Sequence, residues 1–202
     1  MKIKPDQLAK IKWSTLNKTF GCSHSTIIGL IVDWWNSEAP CNSAFESGPS
    51  CAKNEKGKGS YHVDVLLNKN SDIVGVVEVE GSRDQHCIDK ISGFFKRFSK
   101  LEFGLLVIYP TEPKGRGSER RFQERAVGIL EKVEDALKIQ NGSKYIYLIE
   151  IKKRYEQGPS DDEVGILRKK NGYYRGTVNE VVCYHENEQI ILWGENCQKN
   201  KD

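Results

Sequence analysis

The chain has 202 residues, and its 31 lysines and arginines nearly cancel 28 aspartates and glutamates, leaving a formal net charge of +3. That length carries one domain with a full core, or one domain with a small addition, and the charge balance sets it apart from strongly basic chains whose composition alone marks a nucleic-acid binder. No apolar run reaches the ~20 residues a membrane-spanning helix needs, and the N-terminus MKIKPDQLAKIKW lacks the apolar core of a signal peptide. The expectation is a soluble cytoplasmic protein with no membrane partner.

In chain order, residues 5–16 form a weak helix candidate, with Pro5 in its first turn and Leu8, Ile11 and Leu16 as a thin apolar stripe. A clearer helix runs from a hydroxyl cap near Ser25 to about Asn36. Its broad apolar face of Ile27, Leu30, Ile31, Trp34 and Trp35 should pack on a sheet. Pro40 stops it, and Cys41 to Glu46 is a short strand candidate. The Gly-, Ser- and Lys-rich segment from Ser47 to Ser60 reads as a loop. The six cysteines, at 22, 41, 51, 87, 183 and 197, contain no CxxC pair, which points to reduced, mostly buried thiols rather than a zinc ribbon.

Tyr61 to Leu67 and Ile73 to Glu80 are rich in Val, Ile and Leu and flank the polar Asn68–Asp72, so they read as two antiparallel strands. With Leu67 opposite Ile73, Asp64 falls opposite Val76 and beside Glu78. Alternation puts His62, Asp64 and Leu66 on one face, and Val74, Val76, Glu78 and Glu80 on one face. Three carboxylates then converge among apolar neighbours, an arrangement that is unfavourable unless they are protonated or a cation neutralises them. Mg²⁺, a hard ion that takes one or two carboxylates and keeps several waters, suits such a set. The plain alternative is a Val-Glu-Val-Glu strand with one wet face.

Ser82-Arg83-Asp84-Gln85 has the form of a capping box, so a helix should begin just behind Glu80 and bury Ile88, Ile91, Phe95 and Phe98. Lys90 and Arg97 share another face. Phe103 to Tyr109 (FGLLVIY) is a strand buried on both sides. A second long helix is expected from about Ser118 to Asn141-Gly142, and a further strand from Tyr145 to Ile151. From Gly158 the pattern changes to hairpins, one turning at Asn171-Gly172, the other joining Val181–Tyr184 to Ile190–Trp193. The expected fold is therefore α/β, a mixed central sheet flanked by helices over residues 1–157, with a C-terminal β-hairpin appendage over 158–202.

An Asp at one strand end, then an acidic-x-acidic or acidic-x-Lys triplet in the next strand and a helix after it, resembles the PD-(D/E)xK nuclease superfamily, which includes type II restriction endonucleases. On that resemblance Asp64 matches the motif Asp, Glu78 the first acid of the triplet and Val79 the variable position. Glu80 stands where most members carry Lys, and Val63 replaces the Pro. The resemblance implies a restriction-endonuclease-like core and Mg²⁺-dependent hydrolysis of DNA phosphodiester bonds leaving a 5′ phosphate, with Mn²⁺ able to substitute. Asp64, Glu78 and Glu80 would be the metal ligands, and Lys90 in the following helix, or Lys58 in the loop, would replace the missing lysine. Taken by itself, Lys90 reads first as an ordinary exposed helix lysine. Asp33, Glu38 and Glu46 are candidates for the extra acidic ligand that some members draw from the preceding helix.

The basic residues cluster, and Lys56, Lys58, Lys114, Arg116, Arg168, Lys169 and Lys170 are the candidate DNA contacts. Cleavage of both strands would call for a homodimer. The rival reading is a nuclease fold without catalysis that serves as a DNA-binding or assembly subunit, supported by the absent lysine.

Overall fold

The computed structural model describes residues 3–18, 22–46, 52–53, 60–81, 84–109, 144–155, 176–185 and 188–194. Numbered in chain order, seven strands form one sheet in the spatial order β1 (Asn42–Glu46), β4 (Val65–Lys69), β5 (Asp72–Glu80), β6 (Phe103–Ile108), β7 (Tyr145–Tyr155), β8 (Gly176–His185) and β9 (Glu188–Gly194). The short strands β2 (Ala52–Lys53) and β3 (Ser60–Tyr61) pair separately. Pairing is antiparallel from β1 through β4 to β5, parallel from β5 through β6 to β7, and antiparallel again through β8 to β9. With its helices this is a mixed α/β fold. No helix among the described residues is long and apolar enough to cross a membrane.

The two faces of the sheet carry separate cores. On one, α1 (Pro5–Ala9), α2 (Thr15–Lys18) and α3 (His24–Glu38) contribute Leu8, Leu16, Ile27, Ile31, Trp34 and Trp35 against Val65, Val77, Val79, Leu105, Val107 and Ile149. On the other, Ile91, Phe94 and Phe95 of α4 (Asp84–Arg97) meet Leu66, Val76, Leu106, Ile108 and Leu148. β6 lies between both layers, which is why all six of its residues are buried and its sequence shows no polar alternation.

The N-terminal segment is two short helices rather than the one expected over residues 5–16, with Trp13 between them donating from its indole Nε1 to Leu8 O at 3.0 Å. The hydroxyl cap expected near Ser25 is Ser23, its Oγ accepting from the Thr26 amide at 3.2 Å. The strand expected to start at Tyr61 begins in the sheet only at Val65. The polar turn is also tighter than expected: β4 runs to Lys69 and β5 starts at Asp72, leaving Asn70 and Ser71 at φ 51° and 68°. Positive φ at both central residues twists a two-residue hairpin in the sense the strands require, and Asn tolerates it well.

The register differs too. Asn68 pairs with Ile73 but Leu67 pairs with Gly75, so β5 carries a bulge at Val74, and the pairing of Val65 with Val77, continued by one residue, sets Asp64 opposite Glu78 rather than Val76. The bulge resets the alternation: Val74 lies in the core on the α3 side and Val76 in the core on the α4 side, so the expected single face from Val74 to Glu80 is broken. At Gly75 a Cβ would lie 2.3 Å from Cζ of Phe103, so the close approach of that ring requires glycine.

The expected helix over 118–141, Ser82 and Arg83 of the expected capping box, and the hairpin turn at Asn171-Gly172 lie outside the described residues. β8 pairs directly with β7 and β9 with β8, carrying the sheet to Gly194.

Candidate active site

The candidate site gathers where β5 and β6 end side by side. These two strands are parallel, so their carboxyl ends share one rim of the sheet, a common place for ligand chemistry in α/β folds. The Tyr109 amide, just past β6, donates to Glu80 O at 3.2 Å and closes that rim.

Glu78 is the most deeply placed acid. It pairs in register with Leu106 on β6, is 1% exposed, and faces α4. Lys90 of α4, whose side chain is only 17% exposed, donates to Glu78 Oε1, forming a salt bridge. Lys90 is thus not the open surface lysine that its helix position alone would suggest. Glu78 Oε2 is buried with no hydrogen-bond partner among the described residues. Burial, then the nearby negative charge of Asp64, and to a smaller extent that of Glu80, push the Glu78 carboxyl up to about 7, against the opposing pull of Lys90.

Asp64 sits differently. At residues 62–64 the chain has left the regular ladder, and the Asp64 carboxylate takes over as acceptor for β5: its Oδ2 receives the Val79 amide at 2.7 Å, while the Asp64 amide donates to Val77 O at 3.1 Å. An acceptor for a backbone N–H lies near the plane of the sheet, so Asp64 flanks Glu78 at the strand edge instead of standing beside it on the α4 face. Glu80 is partly exposed, and its Oε1 accepts from the Gly81 amide at 3.1 Å.

Two residues join the site that the motif resemblance does not include. His24, the first residue of α3, places Nε2 3.3 Å from Asp64 Oδ2, with the imidazole 44% exposed. Tyr109 meets the His24 ring edge-on at a centroid distance of 6.5 Å. Its hydroxyl is pushed up by burial, then by Glu80, Cys22 and Asp64. No local pattern marks His24, because its neighbours Ser23 and Ser25 read only as helix-start residues.

The extra acids do not reach the site by their helix. Asp33 is exposed, and Glu38 is held by Lys10 at 3.2 Å near the far end of α3, roughly 20 Å along the helix axis from His24 at 1.5 Å per residue. Glu46 ends β1 opposite Val65, one residue from Asp64. Lys56, Lys58, Lys114, Arg116, Arg168, Lys169 and Lys170 lie outside the described residues.

Among the described residues no group of three or more His, Cys, Asp or Glu side chains closes into a metal cage. In this arrangement Lys90 donates to one oxygen of Glu78, the Val79 amide donates to Oδ2 of Asp64, and His24 Nε2 lies 3.3 Å from that Oδ2. Each acid nevertheless keeps an oxygen without a hydrogen bond among the described residues, Oε2 of Glu78 and Oδ1 of Asp64. Both are hard oxygen donors of the kind Mg²⁺ takes, and Mg²⁺ does not need an all-protein cage.

Comparison of the chain with protein-family models, curated proteins and solved structures returned no match.

Proposed function

We propose that this protein is a Mg²⁺-dependent endodeoxyribonuclease of the PD-(D/E)xK type, in the manner of a type II restriction enzyme. The observation that carries the reading is Glu78: a buried carboxylate with an oxygen that has no partner among the described residues, repelled by Asp64 and Glu80 and answered by Lys90, at the rim where two parallel strands end. Such a site favours positive charge more strongly than a structural salt bridge requires.

Asp64 and Glu78 would hold the ion, and Mn²⁺ would serve in place of Mg²⁺. When bound, the metal supplies acidification of the attacking water, charge neutralisation at the phosphate and stabilisation of the leaving oxygen. Glu80, partly exposed beside this pair, would orient the attacking water or hold a second ion. Lys90 offsets the charge of Glu78 and takes the part of the lysine that Glu80 displaces from the motif. DNA is the substrate, with the basic residues named from the sequence as phosphate contacts and a homodimer as the form that cuts both strands.

A second reading has its own support. Lys90 already holds one oxygen of Glu78 and the motif lysine is absent, which favours a catalytically inactive DNA-binding or assembly subunit. Nicking of supercoiled plasmid in Mg²⁺ or Mn²⁺ separates the two. The nuclease reading expects metal-dependent nicking that disappears in Asp64→Asn with folding retained. Undiminished nicking in that variant removes the site assignment, and plasmid binding without nicking by the wild type supports the inactive subunit.

A further inference from the structure

We propose that the Tyr109 hydroxyl and the His24 imidazole together hold a phosphodiester oxygen of the nucleic-acid substrate on the exposed side of the acids at this rim. The inference rests on the DNA reading of the site, calls on no metal, and names two residues outside the motif resemblance.

Its basis is a pair of side-chain donors that the fold brings together and leaves without a hydrogen bond among the described residues. The two rings meet edge-on at 6.5 Å, although His24 opens α3 and Tyr109 follows β6. The imidazole is 44% exposed and Tyr109 is partly exposed. His24 Nε2 lies 3.3 Å from Asp64 Oδ2, an ion pair only when the ring is protonated, and the bond from Tyr109 to Glu80 O is made by its amide. Burial, then the charges of Glu80, Cys22 and Asp64, push the Tyr109 hydroxyl up, yet neither carboxylate accepts from it among the described residues. At neutral pH the hydroxyl is therefore protonated, and the imidazole carries at least one N–H in either charge state.

Asp64, Glu78 and Glu80 repel a phosphodiester, so a substrate held beside them needs donors on the side from which it approaches. Lys90 faces inward, its side chain 17% exposed and donating to Glu78. His24 and Tyr109 supply the exposed side. Hydroxyl and N–H groups bond phosphate oxygens through charge-assisted contacts that fix the position of a nucleic acid without reading its bases. Both rings stand on firm supports: Ser23 caps α3, Ile27 and Ile28 are buried, and β6 is buried along its whole length.

The test is fluorescence anisotropy of a labelled short DNA duplex titrated with the full chain in chelator, where neither cleavage nor a bound ion enters the readout. Tyr109→Phe, which removes only the hydroxyl, is expected to weaken binding about tenfold, as is His24→Ala, because each loses a hydrogen bond to a charged group. His24→Gln keeps a donor and should bind more tightly than His24→Ala. Thermal melts of Tyr109→Phe should match wild type, since the hydroxyl makes no hydrogen bond among the described residues. In histidine-selective ¹H–¹⁵N spectra the His24 ring signal, identified by its loss in His24→Gln, should move when duplex is added, whereas that of the buried His185 should stay. Wild-type affinity in either Tyr109→Phe or His24→Ala, or a His24 signal indifferent to DNA, overturns the inference and leaves the DNA reading standing. A folded wild type that binds no duplex overturns both.

Discussion

Replacing Glu78 by Gln should change how folding stability depends on pH. The Glu78 carboxyl is raised from 4.5 to about 7 in the folded protein, first by burial and then by the charges of Asp64 and Glu80. Because the folded state holds this proton more tightly than the unfolded chain, the contribution to stability is fully present below the unfolded value of 4.5 and is lost as pH rises through about 7. At 1.36 kcal/mol per unit, the total loss across that window is about 3 kcal/mol. Chemical denaturation in chelator, at steps across the window, measures it. Other acids add their own slopes to both proteins, and Lys90 loses an anionic partner in Glu78→Gln, so the informative quantity is the difference between the two curves rather than either midpoint. Wild type should lose about 3 kcal/mol relative to the variant between the acid and neutral ends. Adding Mg²⁺ should move the wild-type inflection to lower pH, since a cation at Oε2 favours the ionised form. Parallel curves for wild type and Glu78→Gln across the whole window would refute the claim that this buried acid is held against its charge.

Other outcomes follow from the packing. Gly75→Ala should cost about 1–3 kcal/mol in a denaturant titration, because a Cβ there meets the buried Phe103 ring at 2.3 Å; an unchanged midpoint would mean the ring moves freely. Glu150, 2% exposed, accepts from the Tyr184 hydroxyl at 2.7 Å, so Tyr184→Phe should destabilise by about 1–3 kcal/mol, and a neutral result would show another donor replacing it. Burial pushes the Cys183 thiol up to about 12 whereas Cys41 is exposed, so iodoacetamide at mildly alkaline pH should modify Cys41 and spare Cys183 until the chain unfolds, read by peptide mass spectrometry. Equal labelling of the two in the native protein contradicts that burial.

Local chemistry in the sequence was enough to determine several of the elements. The unbroken apolar run in β6, the tryptophan-bearing face of α3, the polar break between β4 and β5, and the aromatic stripe of α4 are all consequences of side-chain periodicity and turn preference, which act over a few neighbouring residues. The same logic put Asp64, Glu78 and Glu80 in adjoining strands and a cation, Lys90, on the helix behind them.

The arrangement of those groups was decided by tertiary structure. The bulge at Val74 shifts the register so that the β4–β5 pairing, continued past Val65, sets Asp64 opposite Glu78 rather than Val76, and at the neighbouring Gly75 the ring of Phe103, from a different strand, fills the space a Cβ would take. Asp64 turns its carboxylate to the edge of β5 because the strand around it ends early and leaves the Val79 amide to be satisfied. His24 reaches Asp64 only because α3 docks its Ile27–Trp35 face on the sheet, and Lys90 reaches Glu78 only because Ile91 and Phe94 seat α4 on the opposite side. Periodicity states which residues are apolar and which turn the chain. The energy of a buried charge depends on the partners that packing delivers from elsewhere, and so the chemistry of the site became defined only once the layers were assembled.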